Sequence, residues 1–448
     1  MQINLKEEMA HLSLGDKRRE SRFLKIVQHK ISHPVASIPQ SGEDWSDIKM
    51  TYEFYNNEKI KESAITSCIQ RATAGRCEKT DTVLNIMDTT SINFSSSAEG
   101  LGYLEHGMGD GLMVHNSFAV DDQGCPLGIL HQKIWARDKA QIGKKKFRAF
   151  KNISEKESYR WIEGMMKADE LLKQVPVRVH IGDRESDIYE LLAAVRPAGS
   201  ELLIRASHDR KTVLGNSMWK EVEQQTPLTC FELAIPKTTT DGDRKVNMEI
   251  RSSMIVVSPP KGKTKLPALI VYGIVVRQVN KKISGLEWRL ISTMPVTTAE
   301  QAMQYVKWYS YRWRIERFHY ILKSGCRLED LQLRNVKALQ KAVVVYSLCA
   351  FKIMQILYLS RKEPELPCTV YFSQTEWQVL NHMSSKSPVV SQKPPALSHC
   401  VIMIAKLGGY IGRNNDGPPG IKNVWRGLQQ LNTVLKVINN QNRWLSTN

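Results

Sequence analysis

The stretch from about residue 80 to residue 205 leaves this chain few folds to choose from. Residues 83–88 (VLNIMD) read as a buried strand ending in a carboxylate. Residues 114–120 and 126–135, joined by Asp121-Asp-Gln-Gly124, read as a hairpin. A helix follows over 154–173, where Ser154 and Glu157 have capping-box spacing. Residues 177–183 (VRVHIGD) form another strand that ends in Asp, 187–195 a helix and 202–205 a strand. The order strand, strand, strand, helix, strand, helix, strand gives an α/β fold, a mixed sheet with helices on its faces.

The flanking regions have a different rhythm. Before this stretch, Phe23, Ile26, Val27 and Ile31 recur at helical spacing behind Leu14-Gly-Asp16. Trp45, Ile48, Tyr52 and Tyr55 repeat the pattern, as do Ala64, Ile65, Cys68, Ile69 and Ala72. Three short helices rich in cations suit a small DNA-binding module, and equally a plain bundle. After it, residues 207 to about 290 are dominated by Thr, Val, Ile, Lys and Pro and read as a β-rich insertion. The apolar run 342–359 is interrupted by Lys352 and Gln355, which favours a buried core helix over a membrane span. Pro364 and Pro367 mark a boundary, and the tail is helical over 425–438. The expected organisation is a helical domain over 1–75, a catalytic domain over 76–365 and a helical domain over 366–448.

Charge narrows the class. A formal net charge of +18 and a pI near 9.4 favour polyanionic partners, nucleic acid before anionic membrane. The 8 cysteines contain no CxxC pair, and the opening residues carry no apolar signal run. Both point to a cytoplasmic protein with reduced thiols. The basic loop at 144–151 reads either as a solvated loop or as a phosphate contact. Arg18, Arg19 and Arg22 crowd the first turns of a helix, where cations oppose the dipole and an external anion would explain them.

The segment Tyr309-Ser-Tyr-Arg312-Trp-Arg-Ile-Glu316-Arg-Phe-His-Tyr-Ile-Leu-Lys323 contains neither Gly nor Pro and is expected to be one helix. Tyr309, Arg312, Glu316 and Lys323 then share one face, opposite an apolar set. A salt-bridged surface helix would account for this, and so would a site holding a metal and an anionic polymer. Asp88 and Asp183 at strand ends join Glu316 in supporting the site, since side chains converge beyond strand ends in such sheets. Three carboxylates brought together repel and need a cation. Oxygen-only ligands select Mg²⁺ or Mn²⁺, and two such ions can serve an in-line phosphoryl transfer.

Three runs make the pattern specific: Ile86-Met-Asp88-Thr-Thr-Ser, Gly182-Asp183-Arg-Glu-Ser-Asp, and Tyr309-x-x-Arg312-x-x-x-Glu316 followed by Lys323. They closely resemble the signature regions of bacterial DDE transposases of the IS-four insertion-sequence family, in the Tn-five branch with its Tyr-Arg-Glu-Lys signature. The likeness extends to Leu14-Gly-Asp-x-Arg18-Arg19 and to Ile404-Ala-x-Leu-Gly-Gly. It implies an RNase H-like catalytic fold with a β-rich insertion (about 207–290), flanked by a DNA-end-binding domain and a C-terminal dimerisation domain. Asp88, Asp183 and Glu316 would hold two Mg²⁺ or Mn²⁺ ions. Tyr309, Arg312 and Lys323 would position phosphates, and Trp288 would stack on a flipped base. Arg18, Arg19, Arg22, Arg205, Arg210 and Lys211 would contact DNA. The connector after the apolar helix is shorter than in that branch, which bears on how two subunits meet.

The activity implied is cut-and-paste transposition: nicking, hairpin formation and opening at double-stranded transposon ends, then strand transfer into target DNA by a homodimer, with no role for a membrane. An RNase H-like nuclease without strand transfer, and an inactive DNA-binding inhibitor of transposition, are the alternatives.

Overall fold

A computed structural model of the chain describes all residues except 1–4, 96–97, 106–108, 143–150, 236–243, 280–284, 385–392, 414–415 and 447–448. The basic loop at 144–151 therefore lies almost wholly outside the described residues. The first helices follow the sequence closely. Asp16 caps α1 (Lys17–Ser32) by accepting the Arg18 backbone N–H, and Phe23, Val27 and Ile31 fill its buried side. Asp44 caps α2 (Trp45–Asn56), and α3 (Glu62–Cys77) follows. Trp45 does not pack as the spacing suggested; it is 77% exposed. The inward position in that turn belongs to Asp47, which pairs with Arg22.

The central sheet begins with β1 (Thr82–Asn93), β2 (Gly102–Tyr103), β3 (Asp110–Asp121) and β4 (Pro126–Trp135). After α4 (Tyr159–Leu171) come β5 (Val177–Gly182), the single-turn α5 (Tyr189–Ala193) and β6 (Ser200–Arg205). Strand β3 pairs antiparallel with β1 on one side and with β4 on the other, whereas β1, β5 and β6 run parallel. Strand order β4-β3-β1-β5-β6, three antiparallel and then two parallel, is the RNase H-like topology. The helix α4 starts later than its sequence implied. Ile153–Glu155 forms a separate turn capped by Asn152, and Glu157 faces Arg137 at 2.7 Å and the Trp135 indole N–H.

The β-rich insertion extends this sheet instead of forming a layer of its own. It contains α6 (Met218–Glu223), β7 (Thr229–Ile235), β8 (Arg244–Val257), β9 (Leu269–Gln278) and β10 (Glu287–Ser292). Strand β10 joins β6 through Leu290–Ser292 and Leu203–Arg205, and β9, β8 and β7 continue outward in antiparallel order.

Helices α7 (Ala299–Ser310) and α8 (Trp313–Tyr320) cross back over one face of the sheet. The expected single helix is broken between them. Tyr311 and Arg312 make i→i+3 bonds to Trp308 and Tyr309. The Tyr311 ring sits where a Cβ on Gly124 would approach within 2.9 Å, and Arg314 donates to the Gly124 carbonyl. The β3–β4 turn thus fixes the break. After α8 the chain makes one π-turn, Ile321–Gly325, closed by the Cys326 N–H on the Ile321 carbonyl.

The long helix α9 (Val336–Lys362) is apolar enough to cross a bilayer, yet nearly all of it is buried within the protein. Its interrupting Lys352 has a reason: it meets Glu8 at 2.7 Å, which Arg76 of α3 also meets at 2.6 Å. Burial alone would raise the Glu8 pKa, but these two cations hold it below the usual range. Helices α1, α2 and α3 all pack on α9, as does the C-terminal α11.

The C-terminal region comprises α10 (Gln374–Ser384), α11 (Leu397–Leu407) and α12 (Ile421–Ser446). Two glycines let α11 and α12 touch backbone to backbone. A Cβ on Gly427 would stand 1.7 Å from the Ile404 carbonyl oxygen, and one on Gly408 1.8 Å from that of Asn423. Gly427→Ala is expected to force these helices apart at a cost of about 1–3 kcal/mol. Calorimetry should show a lowered Tm, and an unchanged Tm would mean that the helix pair yields freely.

Candidate active site

Register places the two aspartates. The β1–β5 ladder ends at Ile86↔Ile181, so Asp88 and Asp183 stand at the same level, each two residues further on. Both continue the side-chain sets of Ile86 and Ile181, which lie in the core beneath α8 and α9. Asp88 is not at a strand end as the sequence suggested. The strand β1 runs on to Asn93, because residues 88–93 stay paired with β3 after the parallel ladder stops. Asp183 does end its strand, and it caps the turn Arg184–Ser186.

Each carboxylate is gripped by a backbone N–H. Asp88 Oδ1 accepts from Thr89 at 2.8 Å, and Asp183 Oδ1 accepts from Glu185 at 2.9 Å. The Asp88 pKa is pushed up to about 7, first by burial and next by the Asp183 charge, with Glu316 adding a smaller push. Such mutual repulsion is what a bound cation relieves, and all three donors are hard oxygens. Glu316 reaches this region from α8, but its Oε1 is held by Arg312 Nη2 at 2.5 Å. Among the described residues no three carboxylate, imidazole or thiolate groups yet form a closed ligand cage. The donor set fits a divalent cation once Glu316 exchanges Arg312 for it.

Of the remaining signature residues, Tyr309 lies beside Arg312 and Trp288 beside Tyr309, whereas Lys323 sits further along β1. The Tyr309 hydroxyl is buried beside the Arg312 guanidinium. Burial raises its pKa, and the charges of Arg312 and then Arg205 oppose that rise, so Arg205 also borders the site. The Trp288 indole meets the Tyr309 ring edge-on at 5.4 Å. It also forms one wall of an apolar cavity of about 250 Å³ with Phe231, Leu233, Met248 and Met303. Lys323 donates to the Ser91 carbonyl at 2.9 Å and lies 3.4 Å from Glu329, on the flank of β1.

The other cations divide. Arg18 is 93% exposed beside Asp16, and Arg19 donates to the Leu14 carbonyl. Lys211 is exposed at the end of the loop after β6. Arg22 and Arg210 differ from expectation: Arg22 is engaged with Asp47 and Arg210 is buried against Asp187, each at 2.5 Å. Their guanidiniums neutralise buried carboxylates instead of facing solvent.

Two further side chains lie beside the aspartates, Arg160 without any sequence signal and His319 within the run around Glu316 that carries the resemblance. Arg160 of α4 reaches Thr89 and Glu185. His319, buried next to Phe318, points Nδ1 at Asp88 Oδ2 across 3.9 Å while Asn116 and Gln132 form a hydrogen-bonded row behind it. Burial drives its pKa down to about 3, so the ring is neutral.

An RNase H-like sheet with level aspartates on adjacent parallel strands and a helix-borne Glu is the framework of nucleases and transposases built on that fold. Three family models narrow it: a transposase DNA-binding model matches residues 1–60, a transposase DDE domain residues 165–351, and a Tn5 transposase dimerisation domain residues 348–445. The chain belongs to the DDE transposases of the Tn5 type. Asp183 and Glu316 fall inside the DDE match, and Asp88 precedes it. A solved piggyBac transposase synaptic complex with hairpin DNA is similar at 10% identity over 95% of this chain and 73% of that one, with a TM-score of 0.34. A likeness that distant bears on neither site nor mechanism.

Proposed function

We propose that this DNA transposase works by cut-and-paste, with Asp88, Asp183 and Glu316 as its metal-binding triad. The observation that carries the reading is the level placement of Asp88 and Asp183, close enough for one charge to raise the other's pKa. Two Mg²⁺ or Mn²⁺ ions, when bound, would supply an activated oxygen nucleophile and stabilise the leaving oxygen. The chain's own residues hold the DNA. Arg312 beside Glu316 and Lys323 on the flank of β1 supply cations that match phosphates of the transposon end. The buried Tyr309 hydroxyl can donate to a phosphate oxygen that enters beside Arg312. Neutral His319 presents an N–H to Asp88 and takes no proton from the reaction.

In this reading, residues 1–75 bind the transposon end, 76–365 hold the catalytic centre and 366–448 join two subunits in the synaptic complex. The setting is the cytoplasm. Arg18, Arg19, Arg205 and Lys211 are the further DNA contacts. Arg22 and Arg210 instead serve the fold.

Hairpin formation needs an extruded base, and Trp288 offers it a flat face next to Tyr309. Stacking of this kind contributes about 1–3 kcal/mol per base. Trp288→Ala should therefore slow hairpin formation by about 10-fold or more while leaving the first nick near its normal rate. Equal losses at both steps, resolved on denaturing gels, would assign Trp288 to packing alone. The test of the whole reading is to incubate the protein with its element's end DNA and Mg²⁺. Hairpinned ends are expected; nicks without hairpins would favour a nuclease lacking strand transfer, and binding without nicks an inactive regulator.

A further inference from the structure

We infer that Arg160 is a positioning residue that sets the distance between the two aspartates. The need for one follows from the sheet. The hydrogen-bond ladder between β1 and β5 stops at Ile86 and Ile181, so no backbone bond between these strands fixes Asp88 relative to Asp183. Arg160 spans that gap. Its Nε donates to Thr89 Oγ1 at 2.8 Å and its Nη2 to Glu185 Oε2 at 2.6 Å, while Nη1 is anchored on the Glu157 carbonyl at 3.0 Å. Thr89 and Glu185 are the residues whose N–H groups grip Asp88 and Asp183. One guanidinium thus ties together the two backbone segments that aim the carboxylates.

Directionality supports the assignment. Arginine Nε can only donate, so Thr89 Oγ1 accepts from Arg160, and the same hydroxyl lies 2.9 Å from His115 Nδ1. A planar fork with donors in three directions suits this task, and a lysine could reach at most part of it. The Arg160 side chain is only 11% exposed, which shelters its bonds to Thr89 and the Glu157 carbonyl, while the Glu185 end of the link is open to water.

The inference rests on the metal-site reading above, and its test separates the two. With the full-length protein and Mn²⁺ as probe, unbound Mn²⁺ is measured by electron paramagnetic resonance. Arg160→Gln should weaken Mn²⁺ binding by about 10-fold or more, the usual size of an outer-shell loss. Glu185 is 63% exposed, so Glu185→Gln leaves the fold intact and should shift affinity the same way. The double variant should be no weaker than Arg160→Gln alone, because both act through one link. Arg160→Lys should recover part of the loss. Unchanged Mn²⁺ affinity in Glu185→Gln, or additive losses in the double variant, would overturn the inference. Asp183→Asn distinguishes the premises: if it too binds Mn²⁺ normally, the metal-site reading fails first.

Discussion

Glu316→Gln is expected to leave a protein that binds transposon-end DNA normally but cleaves it about a thousandfold more slowly. The amide keeps the size and most of the hydrogen-bonding shape of the carboxylate but loses its charge. A metal ion contributes several kcal/mol of transition-state charge stabilisation, and each ~1.36 kcal/mol is tenfold in rate. The structure adds a control, because Glu316 also holds Arg312 at 2.5 Å. If Glu316 acted only by orienting Arg312, then Arg312→Gln would match Glu316→Gln and the double variant would be no slower. If Glu316 is a metal ligand, Asp183→Asn should match it instead. Single-turnover cleavage alongside gel-shift binding decides between these; near-normal cleavage by Glu316→Gln would remove it from the triad.

The second large effect is on stability. Asp88→Asn should make the metal-free protein more stable at pH 8 while abolishing cleavage. The sign follows from the raised pKa. The folded value of about 7 lies above the ordinary aspartate value of 3.8, so ionising Asp88 disfavours the folded state. The penalty is absent below the unfolded pKa, grows as pH rises, and is complete above about 7. Its size is on the order of 4 kcal/mol at ~1.36 kcal/mol per unit. The Asp88 side chain is 18% exposed, so solvent screens only a small part of that figure. Thermal unfolding should thus show a higher Tm for Asp88→Asn at pH 8 and convergence with the parent near pH 4. A gap that does not close with falling pH would mean that packing, not charge, separates the two proteins. A site that costs stability when empty is the familiar exchange of stability for activity.

Much of the fold was legible because strands announce themselves locally. Residues 83–88 and 177–183 carry dense apolar runs, and the turn at 121–124 has the side chains that turns need. What escaped was set by partners far away in sequence. Residues 89–93 are mostly polar and the apolar run stops at Asp88, yet β3 holds them as strand. The break at Tyr311 has no Gly or Pro to mark it; its cause is Gly124 on the hairpin. The insertion's strands were evident, but nothing local says that β10 docks on β6. For the candidate site, spacing and resemblance single out Asp88, Asp183, Glu316 and the Tyr-Arg-Glu-Lys run, and the structure breaks that run at Tyr311. Arg160 could not be singled out, because a lone arginine on an amphipathic helix resembles every other surface arginine. Arg22 and Arg210 show the converse, cations whose partners Asp47 and Asp187 were invisible until the chain was folded.

The helix α9 also constrains how such an element can diversify. Phe23, Val27 and Ile31 of α1 and the Glu8–Arg76–Lys352 cluster share one continuous interior with it. A chimera that exchanged the first three helices for those of a relative would have to match that interior residue by residue, or strand a buried charge. Variation in the first three helices is therefore expected to be confined to surface positions that leave this interior intact.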